Sequence, residues 1–224
     1  MEFRLSKLED MQYVTVYPKD YKSTSKYPVI IFLHGAGTRG NNIEQLKNNV
    51  FFKEIDQYED FPFIIVAPKC HEFFWFDMMD RLKKLVYRVA ETESVDDRRI
   101  YLMGNSMGGY ATWHLAMSIP EMIAAIVPIC GGGIYALAEK LAKVPVWAFH
   151  CKGDPVVFVE ESEKMVAAVN ENGGSARLTV YPRDEHNSWV ETYRNPEVFA
   201  WLLSHEKTDK SKVTDRYCSG ELHG

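Results

Sequence analysis

The chain has 224 residues, 46% hydrophobic and 25% charged, which is enough apolar material for a sizeable core and argues against disorder of the whole chain. A formal net charge of -5 gives no electrostatic case for nucleic acid or an anionic membrane surface as partner. The apolar runs are short and interrupted, so none is expected to span a bilayer.

The N-terminal "MEFRLSKLEDMQYV" lacks a basic start followed by an apolar stretch, which reads as no secretory leader and a cytoplasmic protein. The four cysteines, Cys70, Cys130, Cys151 and Cys218, show no metal-type pairing and are expected to be reduced thiols. Strand-like runs then follow one another: "YVTVYP", "YPVIIFLH" (Tyr27–His34), "FPFIIVAP" (Phe61–Pro68) and "RIYLMG" (Arg99–Gly104). "AAIVPIC" (Ala124–Cys130), "VPVWAFH" (Val144–His150) and "ARLTVYP" (Ala176–Pro182) complete the series. Continuous apolar runs of this kind suit strands buried on both faces. Between them, Asp77–Thr92 places Leu82, Leu85, Val86 and Val89 at helical spacing. Val159–Asn172 ends at Gly173-Gly174, a helix stop, and Asn195-Pro196 opens a helix through Leu203. Alternating strands and helices predict βαβ units and a mostly parallel sheet in one α/β domain, residues 1–205. Residues 206–224 are polar and read as a tail.

In "IYLMGNSMGGYATWHL" (Ile100–Leu115) a buried strand breaks on glycines and continues as a helix, with Ser106 at the break. This is G-x-S-x-G in its strand–turn–helix context. Such a tight, strained turn needs glycines beside the serine, and it presents the hydroxyl at the carboxyl end of the sheet. The alternative is a glycine-rich turn with an incidental serine. A serine hydroxyl needs a base to take its proton. The elbow resembles that of α/β hydrolases, where the chain order is nucleophile, acid, histidine. Of seven histidines, His186 in "YPRDEHNSW" follows a later strand and satisfies that order. His34 and His150 end earlier strands, His114 lies on the elbow helix, and His71, His205 and His223 lack a strand-end context. Asp154, past the strand ending at His150, is the candidate acid that holds the imidazole tautomer. Asp184, two residues from His186, is the less favourable rival. Glu160 and Glu161 read as first-turn helix residues. His34-Gly35-Ala36-Gly37 follows the "VIIFLH" strand, so the Ala36 N–H is the expected oxyanion donor, paired with the Met107 N–H.

The chain resembles α/β-hydrolase-fold serine esterases, in particular the compact phospholipase/carboxylesterase and prolyl-oligopeptidase-like group related to dienelactone hydrolases. The resemblance runs from about Tyr13 to Leu203 and rests on "PVIIFLHGAGTRGNN", "GNSMGGYATWHLA", "VPVWAFHCKGDPVVFVEES" and "HNSW". It implies Ser106 as nucleophile, Asp154 as acid, His186 as base, and Ala36 and Met107 as oxyanion donors. Departures from the family pattern are Cys151, Phe158 and Glu185, which stand where relatives usually carry glycine, proline and glycine.

The triad and backbone amides complete the chemistry with no cofactor and no metal. No H-E-x-x-H, C-x-x-C or P-loop is present. The connection Gly131–Lys143 is too short for a large cap, which predicts an open site. "CHEFFWFDMM" (Cys70–Met79) makes Trp75 a candidate wall of the acyl or aryl pocket, with Trp189 as a second. The expected activity is a serine carboxylesterase on short-acyl or aryl esters, including acetyl or feruloyl esters, either small or linked to polysaccharide. The alternatives are a peptidase or amidase of prolyl-oligopeptidase type and a non-catalytic binding protein on a hydrolase scaffold. None of these residues specifies an oligomeric state.

Overall fold

A computed structural model describes residues 1–92 and 94–208. Residues 209–224, with Cys218, His223 and most of the expected tail, lie outside the described residues. The strands are β1 (Arg4–Leu8), β2 (Met11–Val16), β3 (Tyr27–Leu33), β4 (Ile64–Pro68), β5 (Val95–Asn105), β6 (Ala125–Ile129), β7 (Val146–Cys151) and β8 (Ala176–Tyr181). The helices are α1 (Ile43–Lys47), α2 (Val50–Ile55), α3 (Met79–Ala90), α4 (Met107–Ser118), α5 (Glu160–Glu171), α6 (Trp189–Arg194) and α7 (Pro196–Leu203). The strands form one sheet in the order β1-β2-β4-β3-β5-β6-β7-β8. β1 and β2 are an antiparallel hairpin, and β2 also runs antiparallel to β4. All other pairings are parallel. This is the α/β-hydrolase arrangement that the sequence predicts.

Side chains alternate across a strand, and here both faces are covered, which is why the central strands are apolar without interruption. Val29, Ile31 and Leu33 of β3 pack with Ile100 and Leu102 of β5 against Leu82, Leu85 and Val86 of α3 and Ala111 and Leu115 of α4. Ile30 and Phe32, with Tyr101 and Met103, face the other way onto Phe51 and Phe52 of α2, Tyr193 of α6 and Phe199 of α7. Two packed layers therefore hold the middle strands rigid on both sides, and the strand ends they present are rigid in turn.

The connection after β6 carries only a 3-10 turn, Tyr135–Leu141, so no large cap domain is inserted there. Among the described residues, no helix is long and apolar enough to cross a membrane. Glu206 and Lys207, which the sequence assigns to the tail, are held to β5. Arg98 pairs with Glu206 at 2.7 Å, and the Lys207 N–H donates to the Arg98 carbonyl oxygen at 2.9 Å.

Candidate active site

The turn between β5 and α4 is compressed to the point where only glycine fits two residues before and two residues after Ser106. A Cβ on Gly108 would lie 1.8 Å from the Leu33 carbonyl oxygen, and one on Gly104 would lie 2.4 Å from the Gly108 oxygen. Ser106 itself has φ 55° and ψ -119°, a strained backbone for a residue with a side chain. Its N–H donates to the Ile129 carbonyl oxygen at 2.9 Å, anchoring the turn to β6. The helix begins at the next residue, so Met107 presents an N–H that has no acceptor within the helix.

His186, on the loop after β8, lies with Nε2 2.8 Å from Ser106 Oγ and Nδ1 2.6 Å from Asp154 Oδ2. A carboxylate only accepts, so Nδ1 carries the proton and Nε2 is free to take one from Ser106. Asp154 has no exposed side-chain surface, whereas His186 is 19% exposed. The other Asp154 oxygen, Oδ1, accepts the Val156 and Val157 N–H groups at 2.9 and 3.0 Å. Two hydrogen bonds thus link residues that follow β5, β7 and β8, and two more hold the carboxylate within its own loop. Asp154, and not Asp184, occupies the position beside Nδ1. Asp184 is exposed and lies against Gly153, where a Cβ would come within 2.0 Å of its Oδ1. Glu185 is exposed and lies 3.8 Å from Arg183. Cys151 is buried at the end of β7, and Phe158 is exposed on the acid loop.

The loop after β3 folds over the elbow, with a Cβ on Gly35 coming 3.6 Å from Ser106 Cβ. Ala36, the next residue, opens a 3-10 turn (Ala36–Thr38). His34 braces this loop from below. Its Nδ1–H donates to the Gly35 carbonyl oxygen at 2.8 Å and its Nε2 accepts the Cys70 N–H at 3.1 Å. Burial pulls its pKa down to about 3, which keeps the ring neutral and able to accept.

Trp75 requires a correction. It has no exposed surface and donates its indole N–H to the His34 carbonyl oxygen at 3.0 Å, so it supports the His34 loop from inside and forms no wall open to a substrate. The burial follows from its neighbours: Phe73, Phe74 and Phe76 take the exposed positions, and the indole is left to fill the gap under the loop. Trp189, at the start of α6, stands edge-on to His186 with ring centroids 5.4 Å apart.

Two further residues, to which the sequence alone assigns no role, lie beside the site. His150 Nε2 is 3.4 Å from Asp154 Oδ2. Cys130 Sγ, an Asp154 oxygen and a His186 nitrogen lie within 4.8 Å of one another. That is a donor set suited to a thiophilic cation. Burial pushes the Cys130 thiol up to about 12, however, and the Asp154 and His186 atoms already bond each other. Cys130 is therefore a packed, protonated thiol in this arrangement.

Comparison with known proteins agrees with this geometry. A solved thermostable esterase is 32% identical, with a TM-score of 0.82 over 92% of this chain and 63% of its own. Est1E from Butyrivibrio proteoclasticus shares the fold at 15% identity, with a TM-score of 0.65 over 90% of this chain and 99% of that one. A bifunctional acetylxylan esterase/xylanase, XynS20E from Neocallimastix patriciarum, is 28% identical over 82 residues, which is 37% of this chain and 12% of that protein. The chain thus spans under two thirds of the thermostable esterase and a small part of XynS20E. The model of the dienelactone hydrolase family matches residues 17–210. With most of its length matched and its sheet, elbow and strand-end loops in that arrangement, the chain belongs to the dienelactone hydrolase family.

Proposed function

We propose that the protein is a serine carboxylesterase that hydrolyses short-acyl or aryl esters through an acyl-enzyme intermediate. The observation that carries the reading is the continuous contact from Ser106 Oγ through His186 to the buried Asp154, at 2.8 and 2.6 Å. Ser106 Oγ attacks the ester carbonyl while its proton passes to His186 Nε2. The Ala36 and Met107 N–H groups receive the oxyanion, each contributing roughly 3 kcal/mol of transition-state stabilisation. Asp154 stabilises the imidazolium and holds the ring in the tautomer that keeps Nε2 available. His186 then gives its proton to the leaving alkoxide, the alcohol departs, and a water activated by the same nitrogen releases the acid. No cofactor enters these steps.

The substrate side of the reading is a small or polysaccharide-linked ester with an acetyl, other short acyl or feruloyl group. It is supported by the uncapped site and by the partial likeness to an acetylxylan esterase/xylanase. Trp189 is the proposed aromatic wall beside the base. Cys70, Cys130 and Cys151 are buried free thiols, which supports a reducing compartment, the cytoplasm.

The test is a hydrolysis panel of p-nitrophenyl esters from acetate to laurate, with methyl ferulate and a p-nitroanilide. Activity is expected on acetate to butyrate and to fall beyond. Ser106→Ala is expected to lower kcat by at least about 10⁴-fold. Full activity in Ser106→Ala, or amide turnover matching ester turnover, would refute the assignment.

A further inference from the structure

The acid loop after β7 has little to hold it from outside. Pro155, Val156 and Phe158 are exposed, and no apolar layer from the described residues covers them. Its order must come from the inner side, where His150 sits with no exposed surface. His150 Nε2 is 2.8 Å from the Val157 carbonyl oxygen and 3.4 Å from Asp154 Oδ2. Burial lowers its pKa below the ordinary value, so near neutral pH the ring carries one proton. Both neighbours of Nε2 are acceptors, which puts that proton on Nε2 and leaves Nδ1 to accept from the Ser162 hydroxyl, whose one proton is shared with the Gly131 carbonyl oxygen. On the other edge of the ring, Ser162 Oγ of α5 lies 2.8 Å from both Nδ1 and the Gly131 carbonyl oxygen. The ring therefore cannot rotate without breaking its contacts to Ser162 of α5 and to the Val157 carbonyl oxygen.

Val157 is clamped from two directions. Its N–H donates to Asp154 Oδ1 at 3.0 Å, and its carbonyl oxygen accepts from His150. The turn that presents Asp154 is thus closed by the imidazole of a residue four positions earlier. We propose that His150 is a positioning residue for Asp154. Its Nε2–H fixes the Val157 carbonyl and offers a second, longer N–H contact to the carboxylate oxygen that serves His186. Asp154 is flanked by two imidazoles, one that works on Ser106 and one that aims the carboxylate.

This inference rests on the esterase reading for its kinetic consequence. Misplacing a catalytic contact by about 1 Å costs on the order of 10²-fold in rate. The test compares His150→Gln, which keeps an N–H at the Nε2 position, with His150→Asn, which keeps one only near Nδ1. Three readouts are taken: kcat and KM on p-nitrophenyl acetate, the melting temperature, and the far-downfield proton NMR signal of His186 Nδ1–H bonded to Asp154. The glutamine variant is expected to retain kcat within about threefold. The asparagine variant is expected to lose about 10- to 100-fold in kcat with KM within about twofold, and to shift or lose the downfield signal while its fold persists. Equal behaviour of the two variants, or a kcat loss that follows melting temperature alone, overturns the proposal. The downfield signal needs no substrate. An inactive wild type would therefore defeat the esterase reading, while the signal in the two His150 variants would still support or overturn the positioning role.

Discussion

Gly108 shows how one missing side chain makes the strained Ser106 turn possible. It lies where α4 begins, with the Leu33 carbonyl carbon 2.5 Å and the His34 oxygen 2.9 Å from the place a Cβ would occupy. These atoms, with the Leu33 oxygen, are backbone of a central strand and its exit, which cannot give way. Gly108→Ala is expected to destabilise the fold by on the order of 4 kcal/mol and to abolish activity with it, read from urea unfolding and ester hydrolysis. Gly37→Ala, with nothing within 4 Å of the added Cβ, is expected to change stability by less than about 0.5 kcal/mol in the same assay. The contrast separates glycines that make room from glycines that merely occupy a loop. His34 adds a second residue-scale constraint, because its Nε2 must stay unprotonated to accept the Cys70 N–H. The unfolded chain takes up a proton near the ordinary value of 6.5 and the folded chain only near about 3. The unfolded state therefore binds more protons between those limits, and stability falls as pH drops through them. Equilibrium unfolding is expected to show a loss of about 2 kcal/mol between about pH 6.5 and pH 5 from this ring, absent in His34→Gln.

Among the elements, α2 reaches the site through aromatic contacts. Phe51 stacks on Phe32 of β3 with centroids 4.0 Å apart and meets Tyr193 of α6 at 5.0 Å. The Tyr193 hydroxyl donates to Asn105 Oδ1 at 3.2 Å, one residue before Ser106. Phe51→Ala leaves a cavity beside the Tyr193 ring and is expected to cost about 4 kcal/mol in urea unfolding. The central elements were legible in the sequence because burial on both faces writes an unbroken apolar run, as in Val29 to Leu33. The edge was not. β1 is a five-residue strand, "RLSKL", on the open side of the sheet, where charge and apolar residues alternate weakly. The short helices α1, α2 and α6 are six residues or fewer and give too few turns for a period to show. That Ser106, Asp154 and His186 meet could be read because each is a strand-end residue in a set chain order. Trp75 could not, since an aromatic-rich loop does not say which ring turns inward. His150 was visible as a strand-end histidine, but its contact with Ser162 spans to another element, which no local pattern encodes.

At the scale of the whole molecule, the sheet is a rigid table and the candidate site lies along the edge formed by the carboxyl ends of its strands. Ser106, Asp154 and His186 follow β5, β7 and β8, and the Ala36 loop follows β3. Cys70, Cys130 and Cys151 lie at or just beyond the ends of β4, β6 and β7 along that same edge, and none has exposed surface. A thiol reagent can therefore react at these positions only in the moments when the edge opens. The protein carries its own clock for such openings, spaced across the face that holds the candidate site. Labelling rates at the three positions, followed by mass spectrometry, would time how often each part of that face breathes. An ester analogue bound at Ser106 would be expected to slow labelling of Cys130 and Cys151 more than that of Cys70.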